Sequence, residues 1–447
     1  MTSGSLWKQI PLFSIPLMLS NVLQVFFNMA DVAVVGRFAG SSALGSVGST
    51  SILIMLFTGF LIGMGSGVNA LLARFYGAND RENVSQTSHT ALILCLGAGI
   101  AVMGAGLLLS GSILCLLDTK EELMEGALLY VRIYLLGAPA VAIYNYGNGV
   151  LSAIGDTKRP LVYLSVAGVL NVILNLFFVI VCDMSVAGVA LASVISQYLS
   201  AFLILGFLFR CGTDYGVRLS SLRIHPTKAK LLLALGVPSG IQNAIFMVAN
   251  LFIQTGVNSF DTLTVEGNAA AANYDALVYD IMAAFYIACS SFMAQCYGAG
   301  KRERVLKSYF ISLIYAFGFG LACGALLLIF ERPALSLFTT DAAVVDAGLY
   351  RLRIMAVSYA FSAFMDCTIA ASRGLGKTVV PTVIVIMGSC VFRIVWIYTV
   401  FAHFATIPSL YLLYIFSWTL TGIAEILYFR HCYKQRMKEM NAMPFGA

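Results

Sequence analysis

Apolar residues run through this chain in long, nearly unbroken blocks, and polar residues gather in the gaps between them. The blocks cover 10–35, 47–75, 89–110, 126–151, 161–181, 186–209, 231–259, 269–296, 305–330, 344–371, 379–402 and 408–429. Each has the length of a helix that crosses a bilayer, which takes about 20 mostly apolar residues. Backbone in hydrocarbon must satisfy its own polar groups, and a helix does so within one segment. The pattern predicts an all-α integral membrane protein with twelve transmembrane helices. The first block is too long for a cleaved signal, lacks a small-residue cleavage site and is followed by further spans.

Composition sharpens this. Of the 447 residues, 60% are hydrophobic and 11% charged, against about 25% charged in soluble domains. Basic residues are placed unevenly. With the N-terminus inside, the inner loops hold Lys8, Arg74, Arg81, Lys158, Arg159, the bases of 210–230, Lys301 to Lys307, Arg373, Lys377 and those from Arg430 onward. The outer loops hold only Arg37, Lys120 and Arg332. Positive loops stay in the cytoplasm, so the chain is expected in the cell membrane, multi-pass, with both termini cytoplasmic. The net charge of +6 then reports topology rather than nucleic-acid binding. The ten cysteines form no Cys-x-x-Cys pair and the four histidines have no zinc spacing, so no resident metal or cofactor and no enzyme chemistry is expected.

The chain repeats itself. Ala73-Arg-Phe-Tyr-Gly-Ala78 returns as Ala294-Gln-Cys-Tyr-Gly-Ala299, 221 residues later. Arg132-Ile133 maps on Arg353-Ile354, and Gly155-x-Thr157-x-x-Pro160 on Gly376-x-Thr378-x-x-Pro381, both in the same register. Pro16 and Pro238 differ by 222. Six spans per copy means both copies enter the membrane from one side, giving two six-helix bundles related by pseudo-two-fold symmetry about the membrane normal. The expected organisation is an N-terminal lobe 1–210, a cytoplasmic linker 211–230 and a C-terminal lobe 231–447. Pro16 and Pro238 remove a helix hydrogen bond inside long apolar spans and are candidate hinges. The glycines of Gly63-Met-Gly65-Ser-Gly67 and Gly236-Val-Pro238-Ser-Gly240 read as close helix packing.

Pro16 followed by Asp31-Val-Ala-Val-Val-Gly36-Arg37, Tyr-Gly-Ala closing spans two and eight, and Gly-x-Thr-x-x-Pro closing spans four and ten resemble the multidrug and toxic compound extrusion (MATE) family. The resemblance covers nearly the whole chain. It implies twelve helices in two bundles, a central cavity, and export of drug-like small molecules driven by a proton or sodium gradient, without ATP.

Ionisable residues inside the bilayer cost about 2.5–3.5 kcal/mol each on insertion scales and ask for an explanation. Asp31 lies fifteen residues after Pro16, either at the outer end of its helix or as a coupling-ion site. A carboxyl shielded from water can exchange a proton at physiological pH; the same oxygens could bind sodium. Asn171 and Asn175 share one face of span five, Asn145 and Asn148 lie three apart on span four with Tyr130, and Ser193 is on span six. Each pair alone reads equally as interhelical hydrogen-bond glue. The resemblance makes them the surround of an ion-linked site, with one departure: some relatives have a second carboxylate where this chain has Asn175, leaving sodium less negative charge. In the second half Asp275, Asp280, Arg353, Asp366 and Arg393 lie within spans. They either pair among themselves, or Asp275, Asp280, Asp366 and Arg393 line the substrate cavity, with Asp280 attracting cations. Glu425 reads as interfacial. Ala371-Ser-Arg-Gly-Leu-Gly376-Lys377-Thr378 imitates a phosphate-binding loop but follows an apolar span rather than a strand.

The expected function is a secondary efflux antiporter for amphipathic, often cationic small molecules, working by rocking-bundle alternating access. A lipid-linked saccharide flippase of related architecture is the nearest alternative, and a channel or receptor the alternative from another class. Drug resistance conferred on a sensitive cell separates the three.

Overall fold

The computed structural model describes residues 1–117, 119–339 and 341–442. The C-terminal end at 443–447, to which the expected cytoplasmic terminus extends, lies outside the described residues. Regular structure among the described residues is helical. The helices are α1 (Leu6–Val34), α2 (Ser41–Gly77), α3 (Arg81–Leu116), α4 (Glu121–Leu135), α5 (Ala138–Ile154), α6 (Lys158–Leu176), α7 (Ser185–Arg210), α8 (Pro226–Val257), α9 (Thr262–Gly298), α10 (Arg302–Ile329), the short α11 (Glu331–Ser336) and α12 (Ala342–Gly374). The span Val379–Phe404 follows as α13 (Val379–Val385), α14 (Phe392–Trp396) and α15 (Ala402–Phe404) joined by π-helical turns, and α16 (Ile407–Ala442) ends the fold. Among the described residues eleven helices are long and apolar enough to cross a membrane, and twelve spans result when α4 and α5 count as one bent span.

The repeat is visible in the helices. α2 and α9 are each 37 residues long and begin and end in the 221 register, and Gly155 and Gly376 both close a helix at positive φ. The copies part at span four. α4 and α5 meet at a 46° bend, because Pro139 cannot donate to the carbonyl one turn back at Leu135. The residue in register with Pro139 is Ala360, and α12 runs through unbroken.

The chain divides into two compact units, one formed by Leu19–Ala244 and the other by Met1–Met18 with Ile245–Ala447. Both share their bulk with the expected lobes but exchange two helix halves. The first part of α1 belongs with the C-terminal spans, and the first part of α8 with the N-terminal ones. The residues explain each assignment. In the second unit the Arg304 guanidinium donates to the carbonyls of Met1, Ser3 and Gly4 at 2.7–2.9 Å, and Phe13 meets Phe292 edge-on with ring centres 5.6 Å apart. In the first unit α2 and α8 pack glycine against glycine. A Cβ on Gly63 would lie 2.2 Å from the Gly240 nitrogen, and one on Gly67 2.6 Å from that of Gly236. Gly65 between them approaches the Asn145 carbonyl of α5, where a Cβ would come within 2.7 Å. The expected small-residue packing is what these glycines do.

Candidate functional site

In the first unit, Asp31 near the end of α1 faces Asn171 and Asn175 of α6 and Ser193 of α7. The spacing of four places both asparagines on one side of α6, and Asn171, Asn175 and Ser193 are buried. Four hydrogen bonds close a ring. Asn175 Nδ2 donates to Asp31 Oδ1 and to Asn171 Oδ1 at 3.1 Å. Asn171 Nδ2 donates to Ser193 Oγ at 3.3 Å, and Ser193 Oγ donates to Asp31 Oδ2 at 3.4 Å. Asn175 Oδ1 is buried without a hydrogen-bond partner among the described residues. One turn beyond Asp31 and just beyond Asn175 the helices widen into π-helical turns, Val35–Ala39 and Phe177–Val181, which touch each other. Such turns are rare and recur at functional sites.

The ring is directional. Asp31 accepts at both oxygens, so a proton on the carboxyl turns one acceptor into a donor that faces a donor. The hydroxyl of Ser193 can turn to accept, but it then loses its own acceptor within the ring. A charged and a protonated Asp31 therefore call for opposite directions of the bond to Ser193.

Tyr130 is buried among Val34, Val35, Val179, Val186 and Val189 beside the ring and stacks on Tyr134 with centroids 6.0 Å apart. Asn145 and Asn148 lie beyond the bend. Asn145 Nδ2 donates to the Val141 carbonyl at 2.9 Å, and Asn148 Oδ1 accepts from Ser152 at 3.4 Å. These bonds stay on α5, outside the ring.

The charged residues of the second unit fall into separate groups. Asp275 pairs with Arg351 and accepts from Tyr359 Oη at 2.5 Å. Arg351 also donates to Asn268 Oδ1 at 2.5 Å, to which Tyr411 Oη donates at 2.5 Å, and its guanidinium lies 5.1 Å from the Tyr411 ring centre. This network joins α9, α12 and α16. The sequence pattern places Arg353 within span ten, and the structure corrects this. Arg353 is exposed and pairs with Glu331 at 2.5 Å, whereas Arg351, two residues away on another face, is the buried one. Arg393 is buried and hydrogen-bonds Ser417 at 3.2 Å and Asn250 at 3.5 Å, with the Tyr414 ring centre 4.8 Å away and the Asp366 carboxyl within electrostatic reach. Asp366 is buried and its Oδ2 has no hydrogen-bond partner among the described residues. Asp280 is half-buried on α9. Glu425, read from the sequence as interfacial, is fully buried, and both its carboxyl oxygens lack a hydrogen-bond partner among the described residues, because α16 continues well past the apolar block. The loop-like run at Ala371–Thr378 closes α12 and so follows a helix. No cluster of three or more metal-ligating side chains occurs among the described residues.

The family model MatE matches this chain twice, over residues 16–177 and 238–399. The two matches begin at the two proline positions. Among curated proteins, the probable multidrug resistance protein YpnP of Bacillus subtilis is 28% identical over 366 residues, covering 80% of each chain. The probable multidrug resistance protein NorM of Thermotoga maritima is 23% identical over 386 residues, covering 84% of this chain and 82% of that one. A solved multidrug resistance MATE family transporter in an outward-facing conformation superposes with a TM-score of 0.90 at 24% identity, covering 97% of both chains.

Proposed function

The chain belongs to the MatE family, the multidrug and toxic compound extrusion transporters, and from that membership we propose that it is a secondary antiporter that exports amphipathic, often cationic small molecules. Its relatives named as multidrug resistance proteins support the substrate class. The observation that carries the mechanism is the ring of Asp31, Asn175, Asn171 and Ser193. Among the described residues the hydrogen-bond donors to Asp31 are neutral, and such a carboxylate can take up a cation or a proton without breaking an ion pair.

Protons are the proposed coupling ion. Loading Asp31 reverses its hydrogen bond to Ser193 and turns that hydroxyl's proton out of the ring, so the protonated and charged forms favour different packings of one bundle. A ligand shifts such an equilibrium only through its different affinity for the two states, and here the proton supplies that difference. Sodium would find one carboxylate and the oxygens of Asn171, Asn175 and Ser193, and so less charge than a pair of acids offers. In the proposed cycle α1 and α8 act as hinges, each passing from one compact unit to the other just beyond Pro16 and Pro238. Asp280 is proposed to attract cations, and Asp366 and Arg393 to line the substrate cavity beside it. The N-terminus and the 211–230 connection are assigned to the cytoplasm by the basic residues of the inner loops. Efflux from proteoliposomes under separately imposed pH and sodium gradients tests the reading. Efflux driven by the pH gradient alone is expected, and a strict requirement for sodium would overturn the proton assignment.

A further inference from the structure

The connection between α7 and α8 is fastened along its length to α3 of the same unit. Three successive, buried residues of α3 hold its main chain. Ser88 Oγ donates to the Tyr215 carbonyl at 2.8 Å, the Arg218 N–H donates to His89 Nε2 at 2.9 Å, and the His225 N–H donates to Thr90 Oγ1 at 3.1 Å. Val217 is 2% exposed and its N–H donates to the Leu208 carbonyl at 2.9 Å. The connection is a strap, and α8 grows directly from its end at Pro226.

His89 is the centre of this fastening. Its Nδ1 lies 2.7 Å from the Ser85 carbonyl, to which it donates, while Nε2 accepts from the strap. Only a neutral imidazole can donate at one nitrogen and accept at the other; an imidazolium has two donors and no acceptor. The ring borders a cavity of about 300 Å3 shared with Glu82, Ser85, Arg223 and His225, and Glu82 and Arg223 are exposed, which gives protons a route from solvent. The charged and titratable groups around it are Glu82 on its own helix, Arg218, Arg223 and His225 on the strap and Lys228 on α8, with Tyr146 of α5 and Tyr215 of the strap reached through Ser88; Arg81 of α3 pairs with Asp214 of the strap. His225 holds its own proton less tightly than an ordinary histidine, through burial and then the neighbouring Arg223, so it stays neutral to lower pH.

We propose that His89 is a positioning residue that holds the strap on α3 only while its ring is neutral, so that acidification on this side of the protein releases the strap and loosens the start of α8. The inference concerns the strap alone and stands whichever ion or substrate is moved.

Hydrogen exchange on the full chain in lipid nanodiscs between pH 8 and pH 5, corrected for intrinsic exchange rates, tests it without any transport assay. The Arg218 amide is expected to lose at least about tenfold of its protection on acidification. His89→Gln, which keeps an acceptor at every pH, should hold its protection throughout, and His89→Arg should be unprotected throughout. His225→Gln should retain the wild-type profile. Wild-type protection that does not change with pH, or a wild-type pH profile in His89→Gln, would overturn the proposal.

Discussion

Arg351 and Asp275 make the sharpest test of the buried charges. The Arg351 side chain is 9% exposed and that of Asp275 18%, so removing either partner leaves an uncompensated charge in the protein interior. Breaking a buried pair in this way costs about 3–5 kcal/mol. Arg351→Met also removes the donor to Asn268, and leaves Asp275 with Tyr359 as its hydrogen-bond donor in the network. Asp275→Asn strands the guanidinium instead. Replacing both, as Arg351→Met with Asp275→Leu, takes away the pair together with its desolvation cost and should recover most of the loss. For 150–250 residues each kcal/mol moves Tm by roughly 2–4 °C, so the single variants should fall by roughly 6–20 °C. The double variant should fall by much less than the sum. Thiol-reactive dye labelling reads the transition without introduced cysteines, because Cys289, Cys296, Cys367, Cys390 and Cys432 are buried in this unit. Single variants that melt within a few degrees of wild type, or a double variant showing the full sum of both losses, would refute the reasoning.

Gly63→Ala places a Cβ against the Gly240 backbone, and overpacking of this kind costs about 1–3 kcal/mol; unchanged thermal stability would show that α2 and α8 do not meet there. Asp280→Asn is expected to weaken export of cations more than of neutral compounds in a panel of efflux substrates, and equal losses would remove Asp280 from substrate attraction. Reporter fusions within 211–230 and at the C-terminus should be active on the cytoplasmic side, and periplasmic activity at either would invert the topology.

The spans and the repeat were legible because both rest on composition and register, which need no packing. The ring around Asp31 was partly legible for the same reason, since a spacing of four fixes a shared helix face for Asn171 and Asn175. Asn145 and Asn148 share a face as well, but their amides turn inward on α5. Sequence spacing fixes a side chain's direction and leaves open which helix it meets. Arg351 carries no such signal, because the repeat register falls on Arg353, and two residues along a helix reverse the face. Glu425 looked interfacial only because the apolar block ends soon after it, whereas the helix does not. The bend before α5 carried a signal in Pro139, whose register partner Ala360 breaks nothing.

The central claim is that Asp31 couples the ion gradient to export, and antiport by Asp31→Asn in proteoliposomes under an imposed pH gradient, with sodium absent, tests it most directly. Asparagine keeps an oxygen for Asn175 and presents an amide donor to Ser193, so it copies the protonated ring and holds it. The protein should fold with wild-type thermal stability and show no gradient-driven efflux. Efflux at the wild-type rate would remove Asp31 from the coupling mechanism.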